Sequence, residues 1–169
     1  GVLLAGVTAA HRHLTSLRAC SKLLASWGCD QPTVAAGMFR SVYSGSGEKF
    51  SLPVGDRSSR QLVASVIGAD AERVVHLLCE NQIRGDAAGE TQTSERQRCM
   101  LAAVRLAVWL LKLQTADPCA PAVASPKDAL ADVAELEVHG AATGVLLGGT
   151  EAPRVSWELA THRVETAAL

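Results

Sequence analysis

The sequence has few aromatic residues, no excess of charge of either sign and no long hydrophobic run. Aromatic residues make up 4% of the 169 residues, and the net charge is −1. Because binding to a phosphate backbone requires clustered positive charge, this balance argues against nucleic acid as a partner. The longest apolar run, Cys99 to Leu111, is interrupted by Arg105 and is shorter than the ~20 residues of a membrane span, so no membrane association is predicted.

Paired cysteines and the familiar catalytic signatures are also missing. The odd number of cysteines and the lack of a C-x-x-C pair argue against a disulfide framework and a zinc knuckle, and they favour a reducing cytoplasm. The sequence contains no H-E-x-x-H, Walker lysine, G-x-S-x-G or Rossmann glycine pattern. These absences argue against a classical zinc protease, nucleotide hydrolase, α/β-hydrolase or dehydrogenase, and no cofactor is predicted.

What the sequence does contain is helical periodicity. With 48% hydrophobic and 20% charged residues, the chain has the composition of a globular domain. Apolar residues recur at helical intervals, and no alternating strand pattern with hairpin turns is apparent. We therefore predict an all-α fold, a compact single-domain bundle of about six to seven helices spanning residues 1–169.

The helix boundaries follow from capping residues, prolines and glycines. Asp30, Asp56, Asp70 and Asp128 are interpreted as residues at helix starts, and Ser94 with Gln97 has capping-box spacing. The helix from Glu95 is apolar nearly all round and is predicted to be the central one. The predicted helices are about Thr8–Trp27, Asp30–Tyr43, Asp56–Gly68, Ala71–Asn81, Glu95–Gln114, Pro126–His139 and Val155–Val164. The intervening segments Ser44–Pro53 and Gln82–Thr93 are predicted loops, the first a lid over a pocket, and Ala141–Thr150 is ambiguous.

The histidines are the first candidates for chemistry, because histidine exchanges protons near neutral pH and binds metals. His13 shares the helical face of Leu17 and is predicted to point inward, whereas His11 points the opposite way. His76 lies opposite the apolar stripe of its helix and is predicted to be on the surface. The helix dipole accounts for His139, and the position of His162 in the fold is left open.

One stretch of the sequence resembles a known family. Trp27-Gly28, followed by Ala35-Ala36-Gly37-Met38-Phe39-Arg40-Ser41-Val42-Tyr43, is similar to small helical proteins related to the HD superfamily. In particular it resembles the bacterial domain family of unknown function DUF6817, in which Trp-Gly is followed by Ala-Gly-Leu-Phe-His-Ser-Val-Tyr-Gly. The resemblance covers about a quarter of the chain, and residues 70–80 continue it weakly.

The resemblance implies an HD-like scaffold whose metal ligands have been replaced. In the HD superfamily a first-helix histidine, a His-Asp pair and a distant aspartate hold divalent ions. Here Arg40 and Ser41 stand at the positions of the pair, and neither provides an imidazole or a carboxylate. The first-helix ligand would fall near Ser16, with His13 one turn earlier, so a single imidazole remains. No metal site is predicted.

From these features we predict a small-molecule-handling protein of bacterial specialised metabolism. The leading hypothesis is a metal-independent acid/base enzyme, of isomerase, lyase or cyclase type. Its predicted catalytic residues are His13 and Tyr43, and its predicted substrate-binding residues are Arg40, Ser41, Ser16 and Trp27. One alternative is a non-catalytic module that binds a ligand or forms a homodimer. A weaker alternative is a metal-dependent HD-like hydrolase with ligands rearranged around His13 and His139.

Overall fold

The computed structural model describes residues 2–43, 52–84, 93–115, 126–140, 142–145 and 151–168. These residues form seven α-helices, and Tyr43 and Leu52 are joined by an isolated parallel bridge. The predicted all-α class and helix number are confirmed. Most of the predicted lid, residues 44–51, lies outside the described residues, as do residues 85–92 of the second loop and 141 and 146–150 of the ambiguous segment.

The helices follow one another with short connections wherever the connection is described. In order they are α1 Val2–Ser26, α2 Gln31–Phe39, α3 Arg57–Ile67, α4 Ala69–Arg84, α5 Glu95–Thr115, α6 Pro126–His139 and α7 Glu151–Ala168. Helix α2 ends earlier than predicted, because the chain turns after Arg40 so that Leu52 N donates to Val42 O at 2.9 Å. Helices α1, α4 and α7 are longer than predicted. The predicted bounds followed the apolar stripes, and the helical backbone continues beyond them.

Two of three helix starts follow the capping residues that the sequence predicts. Asp56 accepts from Ser59 N at 2.8 Å as the N-cap of α3. Ser94 and Gln97 form the predicted capping box before α5, with two reciprocal bonds of 3.2 Å. The predicted cap at Asp70 is wrong. Helix α4 already begins at Ala69, and its first carbonyl acceptor is Gly68 O, which accepts from Glu72 N at 3.0 Å.

Helix α5 forms the centre of the bundle, as its sequence predicts. It packs against α1, α2, α4, α6 and α7. Its fully buried side chains, none more than 1% exposed, are Cys99, Met100, Ala102, Ala103, Val104, Leu106 and Ala107. A helix that is apolar all round requires neighbours on every side, and the other helices supply them.

Gly37 of α2 faces α1 and leaves no room for a side chain. A Cβ atom at Gly37 would lie 2.4 Å from Leu24 Cδ1 and 3.3 Å from Cys20 Sγ. Helix α2 runs back along α1 from this point, so that Arg40 reaches the level of Ser16. The glycine therefore sets how near the end of α2 comes to the middle of α1.

Arg96 ties α5 to the start of α2 and to the turn at residues 142–145. Its guanidinium donates to the Asp30 carboxylate and, at 2.6 Å, to Thr143 O. Asp30 is the predicted N-cap of α2 and accepts from Thr33 N at 3.1 Å, while its own amide donates to Val145 O at 2.9 Å. We call Asp30, Arg96, Thr143 and Val145 the Arg96 clasp.

No helix in the described residues is long and apolar enough to cross a membrane. Four of the cysteines fall in the described residues, and all four are buried thiols without a disulfide, namely Cys20, Cys29, Cys79 and Cys99.

Candidate functional site

Four of the six predicted site residues come together where the end of α2 meets α1. His13 and Ser16 lie one turn apart on α1, and Arg40 and Ser41 directly follow α2. His13 Nε2 and Ser41 Oγ are joined by a hydrogen bond of 2.8 Å, and Arg40 Nη2 donates to Ser16 Oγ at 2.8 Å. We call these four residues the α1–α2 seam.

Arg40 is a half-buried cation whose hydrogen-bonded partners are all neutral. Besides Ser16 Oγ, its Nη1 donates to Gly37 O at 3.1 Å and lies 3.5 Å from Ser16 O. No carboxylate of the described residues lies within ion-pair distance of the guanidinium. Burial lowers the pKa of Arg40, but an arginine keeps its proton under any physiological condition. The seam therefore holds a positive charge that no carboxylate of the described ranges pairs with.

The predicted inward orientation of His13 is wrong. The His13 side chain is exposed, as is that of His11. Among the residues of α1 whose burial is described, 11–26, the first buried side chain is that of Leu17, and α2, which packs on this part of α1, ends at Phe39. His13 lies one turn before Leu17 and is therefore left at the edge of the α1–α2 contact, accessible to solvent and held by Ser41.

Tyr43 is buried on the other side of the chain that leaves α2. Its side chain is 2% exposed, and its hydroxyl donates to Glu72 Oε1 at 3.0 Å. Arg60 donates two hydrogen bonds to the same carboxylate, from Nε at 2.7 Å and from Nη2 at 2.8 Å. Cys79 Sγ also donates to Tyr43 O at 3.2 Å. We call Tyr43, Arg60 and Glu72 the Tyr43 network, and its parts come from α3, α4 and the segment after α2.

The charges of the Tyr43 network favour an ionised Glu72 and a neutral Tyr43. Burial alone would raise the pKa of Glu72, but the hydrogen bonds from Arg60 and Tyr43 outweigh it, and the pKa is lowered. Burial raises the pKa of Tyr43, and its hydrogen bond to Glu72 raises it further. At neutral pH the tyrosine therefore acts as a hydrogen-bond donor to a carboxylate.

His76 packs beside the Tyr43 network, and its predicted surface position is wrong. The residue is 6% exposed, its ring meets the Tyr43 ring edge-on at 6.0 Å, and Nδ1 lies 3.5 Å from Glu80 Oε2. Helix α4 contacts α2, α3 and α5, so it is covered on more sides than its apolar stripe indicates. Sequence reasoning missed Glu72, Arg60 and His76. The available signal was the four-residue spacing of Glu72, His76 and Glu80 along one helical face.

The remaining candidates lie apart from the seam. Trp27, predicted to bind substrate, is 3% exposed near the end of α1. His139 ends α6 as predicted and contacts the Glu95 carboxylate, while His162 is exposed on α7. Within the described residues, no three histidine, cysteine, aspartate or glutamate side chains are arranged to hold a metal ion.

Comparison with known proteins identifies the same stretch of chain. The family described as a domain of unknown function, DUF6817, matches residues 6–82, and over these residues the chain resembles that family. The matched region contains the whole α1–α2 seam and the whole Tyr43 network. A search of curated proteins and a search of solved structures found no match. The kinship with the HD superfamily stays a prediction.

Proposed function

We propose that the protein is a metal-independent acid/base enzyme that binds a small anionic molecule at the α1–α2 seam. Arg40 binds the anionic group and His13 transfers the proton, in a reaction of isomerase, lyase or cyclase type. The composition and the family resemblance are the basis for placing this activity in the cytoplasm, in bacterial specialised metabolism. The proposal explains why a polar cluster occurs where two apolar helices cross.

The observation that carries the proposal is that Arg40, within the described part of the chain, contacts neutral groups, namely oxygens of Ser16 and Gly37 and the thiol of Cys20. A half-buried guanidinium is normally matched by a carboxylate, since removal from water is otherwise costly. A guanidinium has five N–H donors, and the contacts to Ser16, Gly37 and the adjacent Cys20 thiol leave at least one of them unused by the described residues, which a ligand could take. A planar fork of donors is well suited to a carboxylate or a phosphate.

The donors of the seam favour an anion over a cation as the ligand. Arg40 has no acceptor atom, and its charge repels metal ions. Ser16 and Ser41 add hydroxyl groups that hydrogen-bond to an anion. His13 is the one side chain of the seam of the type that ordinarily exchanges protons near neutral pH.

In the proposed reaction His13 acts as a base and then as an acid. With the anionic group of the substrate on Arg40, the neutral imidazole takes a proton from the neighbouring carbon atom. The electron pair left on carbon is delocalised toward the group held by Arg40, whose positive charge stabilises it. The imidazolium then returns the proton to another substrate atom in an isomerisation, or to a leaving group in an elimination. Ser41, through its 2.8 Å bond, orients the ring.

A non-catalytic ligand-binding or dimerising module is the alternative, and the Tyr43 network favours it. The hydroxyl of Tyr43 is buried and committed to Glu72, so a catalytic role requires it to leave that partner. The role predicted for Tyr43 stays a prediction. In this alternative the seam binds an anion through Arg40 and no proton moves.

The test measures two properties separately, the binding of small anions and the exchange of a carbon-bound hydrogen, in seam variants and in control variants of exposed residues. A panel of small carboxylic acids is screened by thermal stabilisation against the wild-type protein, Arg40→Gln and Arg18→Gln, an exposed arginine of α1. For each acid that binds, NMR in heavy water then follows exchange of its carbon-bound hydrogen, with His13→Gln against His11→Gln as control.

We expect Arg40→Gln to abolish stabilisation, and His13→Gln to abolish exchange while binding persists. Binding without exchange in the wild-type protein would leave the non-catalytic module as the function. Equal stabilisation of wild type and Arg40→Gln would refute the seam as the binding site.

A further inference from the structure

The hydrogen bond between His13 and Ser41 has the geometry of a nucleophile beside its general base. His13 Nε2 and Ser41 Oγ lie 2.8 Å apart, within the roughly 2.6–3.2 Å over which a histidine takes the proton of a serine hydroxyl. His13 is exposed and Ser41 is half-buried, so both are in contact with solvent. The sequence lacks G-x-S-x-G, but serine–histidine pairs occur on unrelated folds and are recognised by their geometry.

The backbone holds Ser41 in a turn directly after α2. Val42 N donates to Phe39 O at 2.9 Å, and Leu52 N donates to Val42 O at 2.9 Å. The residue after Ser41 is therefore bonded both to the end of α2 and to the chain that returns at Leu52. A nucleophile that is held in place loses less entropy on reaction than a mobile one.

Arg40 lies beside the histidine and serine pair. Ser16 follows His13 by three residues on α1, and positions so related are neighbours on a helix surface, about 5–6 Å apart between Cβ atoms. The hydrogen bond of 2.8 Å from Arg40 Nη2 to Ser16 Oγ therefore runs next to the bond between His13 and Ser41. Attack on a carbonyl group places negative charge on its oxygen, which a neighbouring guanidinium stabilises.

We propose that the seam also hydrolyses carboxylic esters, with Ser41 as the nucleophile, His13 as its general base and Arg40 as the group that stabilises the oxyanion. This activity goes beyond the proposed function, because it requires neither a bound anion nor proton transfer at carbon. Ser41 becomes a catalytic residue that forms a covalent intermediate.

The reaction has two balanced halves, with water as the co-reactant. Ser41 Oγ bonds to the carbonyl carbon while its proton passes to His13 Nε2, and the bond between that carbon and the alcohol oxygen then breaks. The imidazolium gives its proton to the departing alcohol. Water attacks the acyl-serine, and His13 takes a proton from it and returns that proton to Ser41 Oγ, which releases the carboxylic acid.

The experiment uses diisopropyl fluorophosphate, which labels activated serines, and 4-nitrophenyl acetate as an ester. Peptide mapping by mass spectrometry locates the label, and release of 4-nitrophenolate gives the rate of ester cleavage. The wild-type protein is compared with Ser41→Ala, His13→Gln and Arg40→Gln. The matched controls are Ser65→Ala and His11→Gln, both at exposed helical positions.

We expect one label per chain, located at Ser41, and no label or enzymatic cleavage in Ser41→Ala. His13→Gln should slow labelling and cleavage about 100-fold or more, and Arg40→Gln should slow them about tenfold or more. Both controls should react at the wild-type rate. Circular dichroism establishes that each variant is folded.

A second variant keeps the test decisive if Ser41→Ala does not fold. Ser41→Cys retains a nucleophile at the same position, and a neighbouring histidine promotes formation of the thiolate. Alkylation of this thiol by iodoacetamide at neutral pH should be slower when His13→Gln is added, and unchanged when His11→Gln is added. Equal alkylation in all three proteins would contradict the role of His13 as the base.

Two further results would overturn the inference, and both leave the proposed function separately testable. If the wild-type protein is not labelled at Ser41, or if Ser41→Ala cleaves the ester as fast as wild type, Ser41 is not a nucleophile. Exchange of a carbon-bound hydrogen that persists in that case would leave the proposed acid/base function intact. Labelling of Ser41 without any exchange or anion binding would instead support the esterase and refute the proposed function.

Discussion

At the scale of single residues, Glu72 is a buried carboxylate on which three hydrogen bonds from two other elements converge. It is 5% exposed and accepts hydrogen bonds from Tyr43 and, twice, from Arg60. A buried carboxylate without partners is costly, whereas one that accepts from a hydroxyl and from two N–H groups of a guanidinium is favourable. The hydrogen bonds to Glu72 therefore fix the positions of Arg60 and Tyr43 relative to α4.

The first prediction concerns the charge of Glu72. Glu72→Gln keeps the shape of the side chain but removes the charge opposite Arg60, so we expect a loss of about 1–2 kcal/mol in the free energy of unfolding. Tyr43→Phe removes one donor and should cost about 1 kcal/mol. Urea denaturation at neutral pH measures both. A Glu72→Gln protein as stable as wild type would contradict the role assigned to the ion pair.

The same variant predicts a pH dependence with a definite sign. The pKa of Glu72 is lower in the folded protein than in the unfolded chain. Its contribution to the free energy of unfolding is therefore complete above the unfolded pKa of a glutamate, roughly 4.3, and declines as the pH falls toward the pKa of the folded state. The difference in melting temperature between wild type and Glu72→Gln should therefore be constant near neutral pH and narrow below about pH 4.3. A difference that widens on acidification would contradict this sign.

At the scale of helices, the close crossing of α1 and α2 depends on one missing side chain. The Cβ of an alanine at Gly37 would lie 2.4 Å from Leu24 Cδ1, and Leu24 is fully buried, so that it has little room to rotate. Gly55 is a useful contrast, because a Cβ there meets no atom within 4 Å. The position of the seam follows from this crossing, since Arg40 lies one turn beyond Gly37.

The second prediction tests that crossing. In Gly37→Ala the overpacking costs about 1–3 kcal/mol, and the better helix propensity of alanine returns up to about 1 kcal/mol. We expect a net loss of about 1 kcal/mol in the free energy of unfolding by urea, and weaker binding at the seam. Gly55→Ala should be neutral or slightly stabilising. Equal stability of the two alanine variants would show that α1 and α2 separate easily.

The third prediction concerns the Arg96 clasp. Arg96→Met leaves the Asp30 carboxylate, 7% exposed, without its cation, and it frees the 142–145 turn from α5. Because Arg96 is itself about a third exposed, we expect a loss of about 2 kcal/mol rather than the larger value for a fully buried pair.

The measurement is amide hydrogen exchange. Exchange at Asp30, whose amide bonds to Val145 O, should accelerate most. Arg98→Met is the matched control, since Arg98 is half exposed and contacts Glu135 at 3.4 Å. If the two variants are equally stable, the clasp does not contribute.

Capping residues, prolines and glycines were sufficient to predict most helix boundaries, but the sequence was not sufficient to predict which side chains the neighbouring helices cover. Asp56 and the pair Ser94 and Gln97 act within one turn, so their roles were predictable from neighbouring residues. His13 and His76 were assigned opposite environments to those they have. A helical phase predicts which residues share a face, whereas coverage of that face depends on where the neighbouring helices begin and end.

At the scale of the whole molecule, the described cysteines belong to a single core. Burial raises the pKa of all four thiols, and that of Cys29 to about 12. A thiol reacts as its thiolate, so a high pKa and lack of access both slow modification. Their reactivity therefore reports on opening of the fold.

The fourth prediction uses this property. In a Cys119→Ser variant, which leaves only these four thiols, alkylation should be at least about tenfold slower in native buffer than in urea, because it requires opening of the core. A ligand that binds the seam should slow it further by stabilising the folded state. Rapid alkylation of any of the four in native buffer would mean that the core is open.

The linear order of residues was enough to establish an all-α protein with a central α5, an α2 start at Asp30 and a polar group around Arg40. These features depend on interactions within a turn of helix or on the average polarity of a face. The partners of that polar group were decided by the fold alone: Ser16 for Arg40, Ser41 for His13, and Glu72 for Tyr43. These pairs are separated by 24 to 29 residues, and contacts over such distances exist only when packing brings the helices together.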